Sequence, residues 1–146
     1  MKKYYADDVN FWKTSTGTPD KWIDLAKNQI KTLGGRVTAE GFGSDSAGRA
    51  AYMLGFEFEG ETYKLVWPVL PSRRGEEKSA RVQAVTMLYH YVKSVCLYAI
   101  VIGPRAAFFS HLLLPDGRTA SQVATPELAD TIPHMLLLTS GHDERN

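Results

Sequence analysis

Apolar and polar positions separate cleanly along the first two thirds of the chain, and their period changes twice. Trp22, Ile23, Ala26, Ile30 and Leu33 recur at helical spacing, with Lys21, Asp24, Lys27, Asn28 and Lys31 on the opposite side. This predicts an amphipathic helix over 19–33. Thr18 is its N-cap, Pro19 lies in its first turn, Asp20 stands at the positive end of the dipole, and Gly34-Gly35 provides a left-handed stop. The period then falls to two. Val37, Ala39 and Phe42 predict a strand before the loop GSDSAG, and Tyr52, Leu54, Phe56 and Phe58 predict a second. Tyr63, Leu65, Trp67 and Val69 form a third set after the turn Glu59-Gly60-Glu61, so the last two strands read as a β-hairpin. Pro68 has no N–H for a ladder, which ends the third strand there or places it at a sheet edge.

The longest periodic signal runs from Glu76 to Ala99. Ala80, Ala84, Val85, Met87, Leu88, Tyr91, Val92, Val95 and Tyr98 gather on one broad face, and Ser79, Gln83, Thr86, His90 and Lys93 on the other. Ile100-Val101-Ile102 either extends this helix or begins another strand, and Gly103-Pro104 stops both. Phe108 to Leu114 is apolar and leads into Pro115-Asp116-Gly117, which reads as a second hairpin closing near Val123 or as a short helix. Thr125-Pro126-Glu127 repeats the capping pattern of Thr18-Pro19-Asp20 and predicts a short helix ending before Pro133, followed by a frayed tail over 140–146. The expected fold is α+β: an antiparallel sheet of three or four strands packed on helices at 19–33 and 76–99. We expect one domain over 1–146, with a core at 19–103 and a C-terminal extension at 104–139.

Composition fits that picture. With 146 residues, 44% hydrophobic and 23% charged, the chain has the size and balance of one globular domain, not of a disordered one. The uncharged stretch Ser94 to Pro104 is about half of the roughly 20 residues that a membrane span needs. The start, MKKYYADD, places aspartates where a secretory signal has its apolar run. We therefore expect a cytoplasmic protein with no membrane partner. A lone Cys96 excludes an internal disulfide and a multi-cysteine zinc site, and reads as a packed thiol.

The net charge of +1 hides an uneven distribution. Residues 61–105 carry seven basic and three acidic side chains, whereas residues 106–146 carry two and five. Within the basic segment, Arg73-Arg74-Gly75 leads into a helix whose first turns carry Lys78 and Arg81. Free N–H groups and a positive dipole at a helix start suit phosphate, so Arg73, Arg74, Lys78 and Arg81, with Lys93 further along, are the candidate nucleic-acid-binding residues. Glu76 and Glu77 oppose an anion there and equally serve as ordinary helix-start acids.

The order helix, three antiparallel strands, helix resembles the double-stranded-RNA-binding domain. Lys78-Ser79-Ala80-Arg81-Val82-Gln83-Ala84-Val85 is similar to that family's K-x-A-K-x-x-A-A run, whose basic residues hold backbone phosphates. Ala80-Arg81 followed by Ala84-Val85-Thr86 is also similar to the helix after the β-hairpin in eukaryotic single-strand-annealing recombination mediators. There, hairpin and helix frame a basic groove for single-stranded DNA. The topological likeness covers residues 19 to 98 and the motif about eight positions. The loop GSDSAG lacks the histidine or proline that reaches a minor groove, and only one basic cluster is evident. Both features favour single-stranded DNA over duplex RNA.

The expected function is non-enzymatic: single-stranded DNA binding or annealing, without metal or cofactor, in a chain that also self-associates or meets a protein partner. The rival class is a protein-interaction module, of the kind a mobile element encodes, using Ala106 to Leu114 together with Tyr4 and Tyr5. A metal-dependent nuclease would draw on Asp45, Glu57, Glu59 and Lys64, but the required E-x-K pair is missing and Glu57 alternates with Phe56 and Phe58 as a solvent-side residue. His90 falls on the polar helix face, His111 in an apolar run, His134 beside a proline and His142 in the tail, at no metal-ligand spacing. Trp22 and Trp67 alternate as core. Tyr4, Tyr5 and Trp12, beside Lys2, Lys3 and Lys13, are candidates for an exposed surface or for a packed arm.

Overall fold

The computed structural model describes residues 1–123. Its main elements are α1 (Pro19–Thr32), β1 (Arg36–Ser44), β2 (Ala50–Phe58), β3 (Glu61–Pro68), α2 (Glu77–Ile102) and a single turn, α3 (Pro104–Ala107). The strands form one antiparallel sheet in the order β1-β2-β3, so the architecture is α+β as the sequence predicts. The helix expected from Thr125, His134, His142 and the tail over 140–146 lie outside the described residues.

α1 ends as its glycines direct. Gly34 adopts φ 95° and donates to the Lys31 carbonyl, while Gly35 donates to that of Ile30, which satisfies two of the helix's last carbonyls. Gly35 is required for a second reason: a Cβ there would lie 2.5 Å from the Phe58 ring and 2.8 Å from Ile30.

β1 departs from simple alternation. A bulge between Val37 and Ala39 puts Val37 opposite Phe56 and Phe42 opposite Tyr52, on the face that meets the helices, and turns Ala39 outward opposite Gly55. The expected set Val37, Ala39, Phe42 is thereby divided between two faces. Glu40 takes the inward position opposite Leu54, where Lys27 of α1 reaches it at 2.7 Å; that hydrogen bond raises the Lys27 pKa. On β2 and β3 the period holds. Tyr52, Leu54, Phe56, Phe58, Tyr63 and Leu65 are all buried in one core with Ile23, Ala26 and Ile30 of α1 and Leu88 and Val92 of α2. β3 ends at Pro68.

α2 continues through Ile102, resolving the choice at Ile100-Val101-Ile102 in favour of helix. Length and hydropathy alone would let it cross a membrane, yet its earlier turns pack on α1 and the sheet. Two residues expected on its polar face are buried. The Thr86 hydroxyl donates to the Val82 carbonyl at 2.7 Å, and the Gln83 amide nitrogen lies 2.8, 3.1 and 3.0 Å from the carbonyls of Ala6, Val9 and Asn10. The N-terminal arm packs over that side of α2, which no local period could reveal. Replacing Gln83 with leucine removes the donor from three carbonyls that then lie beneath an apolar side chain. The expected loss is about 2 kcal/mol of stability, measured by urea unfolding, with faster proteolysis inside residues 1–10.

The second hairpin exists but is small. Leu113 bridges Thr119 around the turn at Gly117, and Leu112 bridges Tyr63 at the edge of β3, both as isolated bridges outside the three-stranded sheet. This segment also supplies Phe108, Leu112 and Ala120 to the core. His111 is half-buried, its ring nitrogen 2.6 Å from the Tyr91 hydroxyl, and burial lowers its pKa. Burial likewise pushes the Cys96 thiol up to about 11, so it is protonated at neutral pH, as a packed thiol should be.

Candidate nucleic-acid interface

Past β3, the chain is held close to the sheet and then to the arm. Val69 donates to Ala50, and Ala6 donates to Pro71, both at 2.8 Å. Gly75, at φ 69°, turns the chain into α2. Between the arm, the ends of β1 and β2, this connector and the first turns of α2 lies a groove of about 870 Å³. Lys2, Lys3, Arg49 and Arg81 line it together with Tyr4 and Phe42, and Glu77 is its acidic member.

Arg81 is the fixed centre of the groove. Its Nε donates to the Tyr52 hydroxyl at 2.7 Å, and its guanidinium lies 4.0 Å from the centre of the Phe42 ring. Burial raises the Tyr52 pKa, with the neighbouring guanidinium pulling the other way, so the phenol is neutral at physiological pH and accepts the hydrogen bond. Phe42 keeps 46% of its surface exposed. The pair therefore presents a flat apolar surface backed by a fixed positive charge, which suits a planar base bearing a nearby phosphate. Arg49 is braced by Asp45 at 3.0 Å. The same carboxylate accepts the backbone N–H groups of Ala47 and Arg49; the Arg49 bond is the largest cause holding the Asp45 pKa below the usual range.

The five residues named from sequence fare differently. Arg81 is central. Arg73 is turned to the arm: its guanidinium pairs with Asp8 at 2.6 Å and stacks 4.3 Å from the Tyr5 ring, while its N–H donates to Asp7. That N–H is the main cause of a lowered Asp7 pKa, and the Asp8 bond raises that of Arg73. Arg74 and Lys78 are exposed beside the groove. Glu76 is engaged by Lys13. Lys93 stands twelve residues beyond Arg81, about 18 Å along the helix, and lines a separate cleft between α1 and α2.

Phe42 and Arg49 line the groove and Tyr52 lies buried behind Arg81; sequence reasoning assigned none of the three to a site. The only available signal was the run of lysines and tyrosines at the N-terminus, since Tyr52 reads as core and Arg49 as loop. Trp12 carries Lys13 over its ring, and Phe11 stacks on His90 of α2 at 5.0 Å, so the arm is packed on α2 there. The acids of the nuclease reading are dispersed: Asp45 serves its own loop, Glu57 pairs with Arg36 across β1 and β2, and Glu59 sits in the β2–β3 turn. Among the described residues no three of His, Cys, Asp and Glu come together as a metal would require. Tyr4 lies at the start of α2 and Ala106 to Leu114 beyond its end, so they do not form the single patch of the protein-interaction reading.

Compared with family models, curated proteins and solved structures, the chain matches none.

Proposed function

We propose that this chain binds single-stranded DNA in the groove at the start of α2, to anneal or protect it, without metal or cofactor. The observation that carries the reading is the Arg81 guanidinium held between the Tyr52 hydroxyl and the exposed Phe42 ring, with Lys2, Lys3 and Arg49 around it. Rings and cations gathered in one groove fit a single strand, whose bases are free to stack. Duplex recognition calls for contacts spaced over successive grooves. Arg81 is also the residue through which the sequence resembles single-strand-annealing mediators.

The test is a titration of the full chain against single-stranded DNA, duplex DNA and duplex RNA at two salt concentrations, followed by annealing of complementary strands. Tightest binding to single strands is expected. With four groove cations engaged, log K should fall with log salt at a slope of about −3. A preference for duplex RNA moves the reading to that family, and no binding at low salt removes it.

A further inference from the structure

We infer that the C-terminal end of α2 is a homodimer interface, covered by a second copy of this chain. From Val95 to Ile102 the helix reads VCLYAIVI, apolar all round, a pattern that belongs in an interior. Only Val95, Cys96 and Ala99 are buried. Leu97, Tyr98, Ile100 and Ile102 are each more than half exposed, Val101 is 82% exposed, and Phe109 adds to the same end. Together they offer on the order of 700 Å² of apolar surface, more than a typical monomer leaves bare and close to one partner's share of a standard dimer interface.

The chemistry of the patch selects its occupant. A two-fold interface sets a patch against itself, so any charge within it meets its own copy. No charged residue lies between Lys93 and Arg105, and Arg105 is paired with Glu61 at 3.5 Å. Leu97 with Val101, and Tyr98 with Ile102, form ridges at i, i+4 spacing, the rows that interdigitate when two helices cross. A second α2 presents the same rows. The groove at Arg81 lies at the other end of the helix, so the dimer leaves it open.

Sedimentation of the full chain from low to high micromolar concentration should show a species of twice 16.3 kDa. Val101→Asp and Leu97→Asp, both at exposed positions, should leave the melting temperature of the monomer unchanged and raise the concentration needed for dimer by about a hundredfold, since each buries an unpaired charge on association. A wild-type chain that stays monomeric at high micromolar concentration overturns the inference, whether its own C-terminal residues or another protein covers the end of α2. So does a dimer that both variants leave intact. Partition of the wild type into phosphatidylcholine vesicles without dimer assigns the patch to lipid and overturns it equally.

Discussion

Arg81→Ala is expected to weaken single-stranded DNA binding about thirtyfold and to flatten its salt dependence by the share of one cation, about 0.7 in slope. Two interactions go at once, the charge at the phosphate and the planar group behind Phe42. Arg81→Lys separates them. Lysine keeps a positive charge but lacks the flat guanidinium that stacks on Phe42 and bonds Tyr52, so the slope should recover more than the affinity does. Phe42→Ala is the complementary change: it removes a stacking surface worth about 1–3 kcal/mol per base and leaves the slope alone. Phe42 is nearly half exposed, so stability should change little. Arg73→Ala is the control, because its guanidinium is already held by Asp8 and Tyr5; affinity should drop less than for Arg81→Ala. Titration of the four variants at two salt concentrations checks this. An Arg81→Ala chain with the wild-type affinity and slope removes the groove from the proposed function.

What the sequence made legible is what short-range chemistry determines. Thr18-Pro19-Asp20 and Gly34-Gly35 delimit α1 to within a residue, and the period of two from Tyr52 to Trp67 gives both strands and the buried face of the hairpin. Gln83 and Thr86 were misplaced because α2 is covered on two sides, and the second cover is an arm more than seventy residues away in sequence. Tyr98 was assigned to the core because its helical position points there, but α2 outruns the core and leaves it exposed. β1 was divided by a bulge that adds one residue and reverses every side chain after it. The site follows the same rule. Basic side chains on the connector and α2 were visible in sequence, whereas the pairing of Arg73 with Asp8 and the seat of Arg81 on Phe42 and Tyr52 are contacts made only by tertiary structure. They turn Arg73 toward the arm and leave Arg81 at the groove.

Phe108→Ala is the substitution expected to cost most stability, about 3–5 kcal/mol. The residue lies in the stretch that reads from sequence as an extension, yet it is fully buried, with its ring 5.0 Å from Phe56, 5.7 Å from Phe58 and 6.0 Å from Tyr63. Its position follows from the chain just before it. Gly103, at φ 91°, ends α2, and the turn opened by Pro104 closes with the Phe108 N–H on the Pro104 carbonyl, which brings the ring back against the sheet. Three aromatic neighbours fixed by strand pairing cannot close the space an alanine would leave, so the cavity persists and adds to the lost burial. Phe108→Leu, which fills much of that volume, should cost less than half as much. Urea unfolding checks both, with the midpoint falling and the slope unchanged. Below the lowered melting temperature, single-stranded DNA binding by Phe108→Ala should match the wild type, because the groove lies at the opposite end of α2. A loss under about 1 kcal/mol would mean that residues 104–123 dock on the core without completing it.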